Sequence, residues 1–122
     1  MNINAVEQCI KLLEAGGFSQ PQTNEQIAYS LGWTSYEHPD RPAENLWLDP
    51  GGLVTDLPEF TTSLIDAMSV LPNGTKLDMV LRADGTGYAC VWTKHGCRST
   101  SQDTLTKALL IVALKACILQ EV

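Results

Sequence analysis

The residues with the most reactive chemistry lie close together near the end of the chain: Cys90, His95 and Cys97. A thiol becomes a nucleophile when a base holds it and a third group orients the base. Here the thiols fall on strands whose inward positions they share with Trp92, so packing is the expected role and no catalytic residue is assigned. His38 stands alone in a loop and reads as a solvated side chain. Asp66, Asp78 and Asp84 are scattered and lack the paired arrangement of an acid–base site. Cys9, Cys90, Cys97 and Cys117 are separated by 81, 7 and 20 residues, which matches no zinc spacing and suits buried free thiols. Asp84-Gly85-Thr86-Gly87 has glycines but no P-loop lysine and no strand-to-helix setting, so it reads as a turn. The expectation is a non-enzyme that uses no metal and no cofactor.

What remains is binding chemistry. The net charge of −6 is unevenly spread. Residues 1–66 hold ten acids against Lys11 and Arg41, a balance of −8, whereas residues 67–122 hold four acids and six bases, a balance of +2. Direct nucleic-acid binding is disfavoured, because phosphate contacts need clustered Lys and Arg. A small anionic ligand such as a signalling nucleotide could still be held by Lys76, Arg82, Lys94 and Arg98, with Trp47 and Tyr36 stacking on a base. Trp33, Tyr36, His38 and Trp47 give residues 33–47 an aromatic character. Trp33 and Trp47 read first as core lids and second as a partner surface.

The element that must position all of this is a helix over residues 102–119. On a 100° step, Leu105, Ala108, Leu109, Val112, Ala116 and Leu119 share one face. Ile111, Leu114 and Ile118 lie on the nominally polar side. Leaving these three in water would forgo about 1.5–3 kcal/mol each, so something covers them: the N-terminal helix or a second copy. Ile111, Leu114 and Ile118 are therefore candidate oligomer contacts, and so are Val80 and Val91.

The chain of 122 residues makes one domain in three stretches: a helical part over 1–31, a long loop with a short strand over 33–60, and helix, hairpin and final helix over 61–122. Asn4 with Glu7 predicts a capped first helix with the stripe Val6, Cys9, Ile10 and Leu13, ended by Gly16-Gly17. A second helix, capped by Thr23 or Asn24, runs to Leu31. Residues 33–45 read as loop, and 46–48 as a short strand before the turn 49–52. A third helix covers residues 63–71, capped by Thr61 or Thr62. Asp84-Gly85 predicts a two-residue hairpin turn. Centred there, it pairs Leu81 with Tyr88, Met79 with Cys90 and Leu77 with Trp92, all facing inward. Val80, Ala89 and Val91 then face outward beside Lys76 and Arg82. A turn at His95-Gly96 leads to a third strand. The fold class is α+β, an α/β sandwich: a three-stranded antiparallel meander with the long C-terminal helix on one face and shorter N-terminal helices around it. No apolar run is long enough to cross a membrane, and the N-terminus lacks a basic leader, so the cytoplasm is the expected compartment.

The segment PEFTTSLIDAMSVLPNG, the hairpin after it and the helix TLTKALLIVALKA resemble the phage ABA sandwich domain family. Thr62, Ser63, Leu64, Pro72, Gly74, Trp92, Ala108, Leu109, Lys115 and Ala116 fit its pattern. So does the upstream stretch with Ile27-Ala28, Trp47 and Pro50-Gly51. Ile65 and Leu105 depart from it, where the family has Asp and Pro. The resemblance covers about two thirds of the chain, and its motifs are structural: a cap, a turn and a core helix. It implies a phage or prophage origin and an α/β fold, and brings no catalytic residues. The function expected is a phage accessory protein in the infected host's cytoplasm that self-associates and binds a host target, with anti-defence inhibition as the expected role. An oligomeric sponge for a small anionic nucleotide and a structural or assembly component are the alternatives.

Overall fold

The computed structural model describes residues 1–17 and 20–121, without the side chains of residues 41–44. The element order is α1 (Ile3–Ala15), α2 (Gln20–Ser30), β1 (Thr34–His38), β2 (Arg41–Leu48), β3 (Val54–Asp56), α3 (Leu64–Met68), β4 (Lys76–Leu81), β5 (Gly87–Thr93), β6 (Gly96–Gln102) and α4 (Leu105–Glu121). The strands form two antiparallel sheets, β1-β2-β3 and β4-β5-β6. The α+β expectation therefore holds, with one sheet more than expected.

The C-terminal helix is the hub. Residues 108–114 and Ala116 are all buried. One side lies on β5 and β6, and the rest is covered by α1 and α3. Its first turn is capped by Thr104, whose Oγ1 accepts from Lys107 N at 3.2 Å. Ile111 and Leu114 are fully buried inside the chain, so they leave the list of candidate oligomer contacts. The N-terminal helix supplies the cover: Val6, Cys9, Ile10 and Leu13 are its buried stripe, as their spacing predicts. Lys115 reaches Glu14 across the same seam at 3.4 Å.

Several boundaries differ from the sequence reading. The first helix starts earlier: Asn2, not Asn4, is the cap, its side chain accepting from Ala5 N at 3.1 Å. Thr23 and Asn24 lie inside α2 and are buried. Asn24 does its capping-type work at a distance, since its Oδ1 accepts from Thr61 N (3.1 Å) and Thr61 Oγ1 (3.0 Å). The third helix is short and capped by Ser63, whose Oγ accepts from Asp66 N at 3.2 Å. The stretch read as loop forms the hairpin β1–β2, with Thr34 opposite Leu48 and Tyr36 opposite Leu46. Prolines and mixed charge hid its pairing, which falls outside the sheet that α4 covers.

The largest correction is one of register. Leu77 pairs with Val91, Met79 with Ala89 and Leu81 with Gly87, one residue away from the expected pairing. The turn explains the slip. Arg82 N donates to Thr86 O at 2.9 Å and Gly85 N to Arg82 O at 3.0 Å, so the loop has three residues, 83–85, not two. Gly85 takes the left-handed position that such loops require, with φ +89°. Asp84 Oδ1 accepts from Thr86 N and Oγ1 at 3.0 and 2.6 Å, which locks the turn and holds the Asp84 carboxyl below its ordinary value. A shift of one residue turns a whole strand over. Ala89 and Val91 therefore face α4 and are fully buried, whereas Tyr88, Cys90 and Trp92 face away from it. Val91 is core and not an oligomer contact.

Candidate functional site

The outer face of the β4-β5-β6 sheet is built from three rows. Pairing places Lys76, Trp92 and Cys97 in one row, Asp78, Cys90 and Ser99 in the next, and Val80, Tyr88 and Ser101 in the third. Trp92 is 41% exposed and Val80 50% exposed, while Cys90 between them is only 5% exposed. These strands pack on one another and, through the other face, on α4. The outer face is therefore an apolar strip with polar flanks, on a rigid support.

At one end of the strip, Gly74, Lys76, Asp78, Trp92, Thr93 and Lys94 line an open cleft of about 610 Å³. The β5–β6 turn holds its rim: Thr93 Oγ1 donates to Gly96 O at 3.0 Å and accepts from His95 N at 3.1 Å. Two ammonium groups beside an indole face can take a planar anion, the ring by stacking and the charge by ion pairing. Asp78 in the same cleft opposes that.

The six residues proposed for a ligand do not assemble. Lys76 and Lys94 do meet, at Trp92. Arg82 is at the other end of the hairpin, reaching Thr86 Oγ1 (3.4 Å) and Ser101 Oγ (3.2 Å). Arg98 lies opposite Val91, on the helix side of the sheet, where it borders a groove with α1 and α4. Trp47 is 2% exposed, its ring edge-on to Tyr29 at 4.9 Å, and cannot stack on a ligand. Tyr36 is half-buried on β1, 6.3 Å from the His38 ring. Trp92 took the place of Trp47 and Tyr36 because the register slip moved it outward. Asp84-Gly85 suits a loop of two residues or of three, so no local signal in the sequence pointed to Trp92.

The thiols are distributed, not convergent. Cys97 is exposed on β6 and Cys90 is buried on β5, so the expected burial of Cys97 is corrected. Among the described residues, no hydrogen bond joins the His95 ring to either thiol. Cys117 is pushed up to about 11 by burial first and the Glu121 charge second, and its Sγ donates to Val70 O at 3.3 Å. Burial also raises Cys9, partly offset by its contact with Ser30. Thiols held protonated in this way pack as small hydrophobes. Among the described residues no cluster of His, Cys, Asp or Glu could hold a metal ion, and no helix is long and apolar enough to cross a membrane.

No family model, curated protein or solved structure matches this chain.

Proposed function

We propose that this chain is a non-enzymatic binding protein, a phage or prophage accessory protein that self-associates and engages a host protein, with inhibition of host defence as its role. The observation that carries the reading is the outer sheet face. Val80, Tyr88 and Trp92 form an apolar strip there, flanked by Lys76, Asp78 and Arg82. Apolar patches rimmed by polar groups on a rigid sheet are characteristic of protein-binding sites, and an exposed Trp is a typical anchor. The phage context comes from the resemblance of the α3–hairpin–α4 stretch. The test is the plating efficiency of a defence-sensitive phage on host cells that express the chain. Val80→Glu and Trp92→Ala should abolish any protection. Ile65→Glu, at an exposed site on α3, should keep it. Equal protection by all three would reject the outer face.

A second reading is favoured by the cleft at Trp92, where Lys76 and Lys94 converge. In it the protein sequesters a small anionic nucleotide. Titration with cyclic dinucleotides would then quench Trp92 fluorescence, and Lys76→Glu would remove the effect. Unchanged fluorescence across the nucleotide panel rejects this reading.

A further inference from the structure

Each sheet has two edges, and three of the four are protected. An exposed strand edge invites pairing with another chain, and proteins blunt it with short strands, bulges, charge or proline. β3 has three residues. β1 carries a register shift between Tyr36 and His38. β4 carries Lys76 and Asp78. β6 is the least protected: GCRSTSQ pairs with β5 through seven unbroken positions, without Pro or a bulge, and its single charge is Arg98, whose Nη1 donates to Cys97 O at 2.8 Å. Its other edge is the end of the sheet.

We propose that β6 pairs antiparallel with β6 of a second copy, joining two three-stranded sheets into one of six strands. Geometry selects the register. The two-residue loop 94–95 closes on the pair Thr93 and Gly96. Such a closing pair exchanges both ladder bonds, and pairs alternate from there. Gly96, Arg98, Thr100 and Gln102 thus bond to β5, and Cys97, Ser99 and Ser101 turn their N–H and C=O groups to the free edge, where Cys97 O accepts from Arg98 Nη1 at 2.8 Å, a contact that strand pairing replaces. A two-fold axis through Ser99 places Ser99 opposite Ser99 and Cys97 opposite Ser101. Every outward-facing residue then meets another, and the whole strand overlaps. Arg98 falls opposite Thr100, so the two guanidinium groups avoid each other. An axis one residue away, through Arg98, would set them face to face and pair inward-bonded residues.

The neighbouring groove fits the same occupant. On the helix side of β6 it measures about 300 Å³, with Ile10, Ile118 and Leu119 among its apolar walls and Glu7, Lys11 and Arg98 among its charges. A patch holding both signs is self-complementary across a two-fold axis, since the cations of one copy can face the carboxylate of the other. The same register leaves α4 of both copies on one side of the joined sheet, and both Trp92 faces open on the other. Ile118 is the one member of the α4 set that this arrangement keeps near the contact.

This inference details the self-association within the proposed function, and its test separates the two. Light scattering on the parent chain should give twice its 13.3 kDa mass. Ser99→Pro removes an outward N–H while leaving the β5 ladder intact, and should give the single-chain mass with unchanged circular dichroism. Ser99→Cys should crosslink two copies on mild oxidation, with peptide mapping placing the link between the two position-99 residues. Val80→Cys, exposed on the outer face, should not crosslink. A parent chain that is monomeric at high micromolar concentration rejects both this contact and self-association. A dimer that survives Ser99→Pro rejects the β6 edge and keeps self-association. Should the proline variant fail to fold, absence of the Ser99→Cys crosslink overturns the proposal.

Discussion

Gly87 lies directly beneath Leu105: a Cβ added at Gly87 would overlap the Leu105 backbone, 2.7 Å from its N. The hairpin and the C-terminal helix meet here without a side chain between them. That fixes where α4 starts its passage across β5. The clash is with backbone, which cannot rotate away. Gly87→Ala should therefore destabilise the fold by about 1–3 kcal/mol, the usual range for overpacking, measured by urea denaturation. Gly85→Ala should also cost stability, through its positive φ, but without disturbing the α4 contact.

The register makes a sharper prediction. Val91 is buried under α4 and Trp92 is 41% exposed on the opposite face. Val91→Glu should unfold the domain or cost more than about 3 kcal/mol, because a charge enters the core unpaired. Trp92→Glu should stay within about 1 kcal/mol of the parent. The pairing that a two-residue turn would impose predicts the reverse order, so a pair of melting curves distinguishes the two registers.

Much of the fold was legible because its signals were local and redundant. The α4 sequence is apolar on nearly every side, and that alone required covering elements, with α1 offering a stripe of matching length. The register was not legible, because Asp84-Gly85 suits a loop of two residues or of three. The fold takes the three-residue loop, which puts Ala89 and Val91 under α4 in place of Tyr88 and Trp92. The β1–β2 hairpin was hidden for a related reason: Pro39 and Pro42 read as breakers, yet Pro39 falls in the β1–β2 turn and Pro42 is the second residue of β2, ahead of the stretch that pairs with β3. The ligand residues failed for a topological reason. Arg82 and Arg98 are close in a list of cations but lie at another end and on another face of one sheet.

Asn24 and Thr61 tie α2 to the segment before α3. Asn24→Ala would leave the buried Thr61 N–H and hydroxyl without their acceptor, 37 residues away in sequence. The expected loss is about 1–3 kcal/mol. Thr61→Val in the Asn24→Ala background should recover part of it, since one buried donor is removed. Full additivity in that double-mutant cycle would show that the two residues are not coupled.

Alkaline pH should weaken the fold through Cys117. Its thiol is raised from 9.0 to about 11 in the folded chain. The stabilisation it gives is complete below pH 9 and is lost as pH rises from 9 through about 11, because the unfolded thiol ionises first. The loss is about 3 kcal/mol for a shift of this size. Cys117→Ala should be less stable than the parent at neutral pH and show a flatter stability profile across that alkaline window. Parallel profiles would mean that Cys117 titrates normally.

The central claim is that the face carrying Tyr88 and Trp92 meets the target. A photo-crosslinking amino acid at Tyr88, in the full chain expressed in the host, tests it most directly. One host protein should be captured in stoichiometric amount from Tyr88 and lost when Trp92→Ala is added, while a probe at Ile65 captures none. Capture from Ile65 with none from Tyr88, or capture indifferent to Trp92→Ala, would contradict the account.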